Sequence, residues 1–127
     1  MPEKKKILIA DDEEGLRLAL ADTFTEEGFD AIQAPDGQAA LDLALANHPD
    51  LVILDFVMPK MHGKDVLKNL MSDDWGAKVP ILFLTNYSVD EQVKNTIASK
   101  DHLEYMDKTK CDLPHVINKV KEMLGMK

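Results

Sequence analysis

The chain has 127 residues, 45% of them hydrophobic and 30% charged, which is enough to bury one core and too apolar for a disordered segment. A net charge of −8 argues against direct binding to nucleic acid, because so acidic a chain has little with which to neutralise phosphates. Cys111 is the single cysteine, so no internal disulfide can form, and no apolar stretch reaches signal-peptide or membrane-spanning length; the expected location is cytoplasmic.

In chain order, Lys4, Lys5 and Lys6 lead into the apolar run Ile7-Leu8-Ile9-Ala10, a first strand. Leu16, Leu20 and Phe24 then share one helical face, and Gly28 is placed to close that helix. A short strand from Ala31 to Ala34 and a Pro35-Asp36-Gly37 turn precede a second helix that should bury Ala40, Leu41, Ala44 and Leu45. After the break at Asn47-His48-Pro49-Asp50 comes Leu51-Val52-Ile53-Leu54, the uninterrupted kind of run that a parallel sheet covers on both faces.

A third helix carries Val66, Leu67, Leu70 and Met71, and a polar loop from Ser72 to Lys78, anchored by Trp75, leads to the apolar run Val79 to Leu84. Ser88 and Glu91 form a capping-box pattern for a fourth helix bearing Val93 and Ile97. The fifth strand, Leu103 to Asp107, has the weakest pattern of the five. Asp112 can cap the last helix, with Pro114 in its first turn and Leu113, Val116, Ile117, Val120 and Leu124 along its apolar face. Five strand–helix repeats without a linker predict one α/β domain over residues 1–127, with its core at about 5–125. The expected architecture is a doubly wound, flavodoxin-like (βα)5 fold: a five-stranded parallel sheet with strand order 2-1-3-4-5.

Reactive side chains fall at the carboxyl ends of the strands. Asp11 and Asp12 follow the first, Asp55 ends the third, Thr85 ends the fourth and Lys108 follows the fifth. In that strand order the crevice between strands one and three receives three carboxylates. At an effective dielectric near 20, two like charges about 4 Å apart repel by roughly 4 kcal/mol, so either their pKa values rise or a cation sits among them. An oxygen-only set with room for water suits Mg²⁺ better than Zn²⁺. Cation, lysine and hydroxyl around one carboxylate suit the stabilisation of a transferring phosphoryl group, with Asp55 as nucleophile.

Plainer readings exist for each residue. Asp11 and Asp12 could cap the first helix, with Glu13 and Glu14 favouring its dipole. Asp55 could be a turn residue, Thr85 a strand-end hydroxyl bonded to backbone, and Lys108 a solvated charge. Five such coincidences at one end of one sheet favour the functional reading. His48, His62, His102 and His115 are scattered without ligand spacing and are taken as structural or solvated.

The block Ile7-Leu-Ile-Ala-Asp-Asp-Glu-Glu14 and the block Pro49-Asp-Leu-Val-Ile-Leu-Asp-Phe-Val-Met-Pro59, with Gly63, resemble the receiver domains of two-component response regulators. Val79-Pro-Ile-Leu-Phe-Leu-Thr85 and Tyr105-Met-Asp-Lys108 extend the resemblance over essentially the whole chain. It implies that Asp55 is the phosphoacceptor and that Asp12 and Asp55 bind Mg²⁺ directly with the backbone carbonyl of Val57, Asp11 acting through water. Lys108 would pair with the phosphoryl group, and Thr85 and Tyr105 would form the switch. It further implies a sensor histidine kinase or histidine phosphotransfer protein as donor, and a protein target on the face of the fourth helix, fifth strand and fifth helix.

Some positions differ from the common receiver pattern. Thr109 stands where many receivers have proline, Asn86 where a smaller residue is frequent, and Asp101-His102 where a Gly-Ala pair often precedes the fifth strand. Val57 and Tyr87 set apolar bulk beside the site and should slow attack by water slightly. The leading expectation is a single-domain response regulator that signals by phosphorylation-dependent protein binding, and not a turnover enzyme beyond its own phosphorylation and dephosphorylation. The regulatory part of a DNA-binding factor is a second class, set back by a chain that stops two residues past Gly125. A haloacid-dehalogenase-like phosphatase would want a second aspartate where Val57 stands, and no glycine-rich loop after the first strand supports nucleotide binding.

Overall fold

The computed structural model describes residues 4–85, 91–109 and 112–126, with the backbone alone at 91–93. Ten elements alternate: β1 (Lys6–Ala10), α1 (Glu14–Glu26), β2 (Asp30–Ala34), α2 (Gly37–Asn47), β3 (Leu51–Asp55), α3 (Gly63–Met71), β4 (Ile81–Thr85), α4 (Glu91–Ala98), β5 (Leu103–Asp107) and α5 (Leu113–Met123). The five strands form one parallel sheet in the order β2-β1-β3-β4-β5, as the strand–helix alternation predicts. Ser88, Asn86, Tyr87, Cys111 and the side chain of Val93, all given roles or expectations from the sequence, lie outside the described residues.

Burial follows position in the sheet. All five residues of β3 and of β4 are buried, whereas the edge strands β2 and β5 keep most of their residues partly exposed. Side chains alternate across the sheet. Leu8, Ala10, Val52, Leu54, Ile81 and Phe83 pack with Ala40, Val66, Leu70 and Ile97, from α2, α3 and α4. Ile7, Ile9, Leu51, Ile53, Leu82 and Leu84 pack with Leu20, Phe24, Val116 and Val120, from α1 and α5. Each fully buried large side chain of this kind contributes roughly 1.5–3 kcal/mol by leaving water.

The turns have local causes. Gly28, at φ +92°, takes the left-handed position after α1, and the Phe29 amide bonds the Phe24 carbonyl at 3.0 Å. The two rings then meet edge to face at 5.4 Å, completing the cap with an apolar contact. Asp36 starts α2 by accepting from the Ala39 amide at 2.8 Å, and Asp112 starts α5 by accepting from His115. Leu45, expected in the core, is 39% exposed: it lies beside the buried Ala44 but points off the stripe that faces the sheet. His48 is structural, one of the two roles expected of it: it ends α2 in the left-handed region and stacks flat on Trp75 at 4.4 Å.

Candidate functional site

The carboxyl ends of β1, β3 and β5 gather the charged residues. Asp11 follows β1 directly, its amide held by the Ala34 carbonyl at 3.1 Å and its own carbonyl by Arg17 Nη1 at 2.9 Å. Asp55 is the last residue of β3 and pairs in register with Leu84. Behind it, the Gly63 amide bonds the Phe56 carbonyl at 2.9 Å, folding the β3–α3 loop back onto the strand end. Lys108 follows β5, and its amide bonds the Thr85 carbonyl at 2.9 Å, so the end of β4 fixes where the lysine begins.

These side chains converge. Asp11, Asp12 and Asp55 each offer an oxygen within 4.8 Å of the others. Lys108 Nζ lies 2.8 Å from Asp11 Oδ2, 3.2 Å from Asp55 Oδ2 and 3.3 Å from Glu13 Oε1. Asp11, Asp55 and Thr85 are buried, whereas Asp12 is open to solvent. Burial pushes the Asp55 carboxyl up to about 6, aided by Asp11 and opposed by Lys108 and by the Phe56 amide. For Lys108, burial acts downward, but its bonds to Asp11 and Asp55 outweigh it and hold the ammonium above its usual range.

The donor set is all oxygen, has one open member and carries excess negative charge. That chemistry fits a hard divalent cation such as Mg²⁺. Among the described residues no other cluster of histidine, cysteine or acidic groups has comparable spacing. Tyr105, on β5, is 44% exposed and lies at the lip of a groove of about 240 Å³ with Lys94, Ile97 and Lys100. Tyr105 thus shares this groove with residues of α4 and of the turn that follows it. A larger groove, about 650 Å³ between α3 and α4, contains none of the converging residues.

Glu13 was expected only to favour the dipole of α1; its contact with Lys108 joins positions 95 apart. Its adjacency to the Asp11-Asp12 pair was the one local hint available.

The chain matches the family described as "Response regulator receiver domain" over residues 7–121. It is 41% identical over 78 residues to Sporulation initiation phosphotransferase F of Bacillus subtilis, covering 61% of this chain and 63% of that protein. It is 38% identical over 104 residues to Response regulator MprA of Mycolicibacterium vanbaalenii, covering 81% of this chain and 43% of that protein. The matches thus span from about a third to just under two thirds of these curated relatives. Among solved structures, the Francisella response regulator 1452 receiver domain is 26% identical, with a TM-score of 0.82 over 96% of this chain and 98% of that one. The Vibrio cholerae chemotaxis protein CheY4, at 24% identity and a TM-score of 0.83 over 95% of this chain and 99% of that one, shares the fold. This chain belongs to the response regulator receiver family. Receiver domains accept phosphoryl groups, bind Mg²⁺ at an acidic pocket and interact with histidine kinases or phosphotransfer proteins.

Proposed function

We propose that this domain is a Mg²⁺-dependent phosphorylation switch in which Asp55 accepts a phosphoryl group from a sensor histidine kinase or a histidine phosphotransfer protein. The observation that carries the reading is the meeting of the Asp11, Asp12 and Asp55 carboxylates with the Lys108 ammonium, at strand ends separated along the chain.

Asp12 and Asp55, with the backbone carbonyl of Val57, would hold the cation directly, and Asp11 would act through water. Bound there, Mg²⁺ would offset the charge of the carboxylates and of the incoming phosphoryl oxygens. An Asp55 oxygen forms the new O–P bond while the P–N bond of the donor phosphohistidine breaks, its electron pair returning to the imidazole. Lys108 donates to a phosphoryl oxygen, which concentrates positive charge where negative charge is transferred. The Thr85 hydroxyl moves toward the same oxygens, and Tyr105 turns inward from its exposed position. The α4–β5–α5 face, where Tyr105 lies, then presents a changed surface to a protein target.

In this reading the domain is a phosphoacceptor and not a turnover enzyme; Val57, rather than a second acid, stands two residues after Asp55. A cytoplasmic location goes with it, because the donor phosphohistidine derives from ATP. The domain acts on its own account, which is supported by a relative of about one domain in size: 78 matched residues make up 63% of Sporulation initiation phosphotransferase F.

The test is incubation with a small phosphodonor and Mg²⁺. The wild-type protein should gain one acid-labile phosphoryl group and Asp55→Asn none; acid-stable labelling of the variant at the wild-type level would overturn the reading. A second reading, control of an attached output segment, is favoured by relatives such as the Probable transcriptional regulator ycf27 of Porphyridium aerugineum, of which the match covers 35%. Immunoblotting the endogenous protein for a mass well above one domain would favour it.

A further inference from the structure

Glu13 stands at the start of α1, where serine, threonine, aspartate or asparagine ordinarily caps a helix with a side-chain oxygen. α1 has no such side-chain cap. The Glu13 amide bonds Asp11 Oδ1 at 2.9 Å, and its carboxylate reaches across to Lys108. An ammonium has three N–H donors, and this one meets three carboxylates, at 2.8, 3.2 and 3.3 Å. A phosphoryl oxygen can gain a donor from Lys108 only if one carboxylate gives one up.

The three are not equally easy to release. The Asp11 and Asp55 side chains are 3% and 9% exposed, whereas that of Glu13 is 55% exposed. Water can take over the hydrogen bond that Glu13 loses, but not readily the one that Asp11 would lose. A phosphoryl dianion on Asp55 would also repel the Glu13 carboxylate.

We propose that Glu13 is a positioning residue that shares the Lys108 ammonium in the unmodified protein and surrenders it when a phosphoryl group arrives, thereby setting how readily the modified state forms. The proposal rests on the reading of Asp55 as phosphoacceptor. It acts through Lys108 and touches neither metal nor phosphorus.

Two variants test it. Glu13→Gln removes the charge; Glu13→Asp keeps the charge but is one methylene too short to hold the ammonium. The readouts are the Lys108 ammonium resonance in the metal-free protein, by NMR, and the affinity for beryllofluoride in Mg²⁺, with beryllofluoride standing in for the phosphoryl group. Both variants should shift the Lys108 resonance and bind beryllofluoride more tightly, by about fivefold, the size of one exposed ion pair. If Glu13→Asp behaves as wild type while Glu13→Gln alone changes, the effect is one of overall charge and the proposal is overturned. Unchanged or weaker binding in both variants overturns it as well. Should the wild-type protein bind no beryllofluoride, the phosphoacceptor reading fails, and an unmoved Lys108 resonance would separately rule out the contact.

Discussion

Lys108 and Asp55 are 53 residues apart in the chain, yet their charged atoms stand 3.2 Å apart at the edge of the sheet. The bond between them is the internal neutralisation of a crowded acidic site, and its strength and limits can be measured.

The Asp55 carboxyl is raised from 3.8 to about 6, by burial first and by Asp11 second. A raised acid binds a proton in the folded protein that the unfolded chain has already released. The metal-free protein is therefore penalised progressively as pH climbs from about 4 to about 6, and the full penalty persists above that window. Asp55→Asn should remove it, so that the variant gains on wild type through this range and is about 1–2 kcal/mol more stable at pH 7.5. Urea unfolding of both proteins at several pH values measures the difference; a constant difference would contradict the account.

Lys108→Ala should act in the opposite sense. The ammonium is held above its usual value, so the stability it confers is fully present below pH 10.5 and is lost only in strong alkali. Removing it at neutral pH leaves two buried carboxylates facing each other, at a cost of about 2–4 kcal/mol. Added Mg²⁺ should raise the Tm of this variant more than that of wild type. Equal shifts in thermal melts would show that cation and ammonium do not share the site.

Gly63 holds the end of β3 at Asp55 through close approach. A Cβ there would meet the Asp55 carbonyl oxygen at 2.4 Å and the Phe56 Cα at 3.0 Å, both backbone atoms. Gly63→Ala should cost about 2–3 kcal/mol and slow labelling of Asp55. Gly15→Ala, with nothing within 4 Å, should stabilise by about 0.5 kcal/mol. Denaturation midpoints and phosphodonor labelling rates check both.

Thr85→Ala should separate modification from response. Asp55 remains available, so labelling should persist, but the hydroxyl that would move toward the phosphoryl group is gone. In the wild-type protein, modification should protect Tyr105 from iodination; in the variant Tyr105 should stay as reactive as before. Equal protection in both would remove Thr85 from the switch.

The strands and the polar residues at their ends were legible because each depends on local pattern. Leu51 to Leu54 is apolar without interruption because β3 is covered on both faces, and even β5, with Glu104 and Tyr105 in its middle, was delimited at Leu103 and Asp107. Leu45 misled because an apolar residue at helical spacing can fall just outside the buried stripe. The particular contacts of Glu13 and His48 are not legible, for a different reason. Their partners, Lys108 and Trp75, come from distant segments, and nothing in the flanking sequence specifies such a meeting.

The stack of Trp75 on His48 has an experimental consequence. Both rings sit where chain enters the sheet, ahead of β4 and β3, while the acidic cluster lies where the strands leave it. Five residues of strand, roughly 17 Å, separate the two ends. Trp75 is the sole tryptophan, so its emission will register unfolding but stay silent when an ion or a phosphoryl group arrives. Optical detection of those events calls for an indole introduced near the opposite edge.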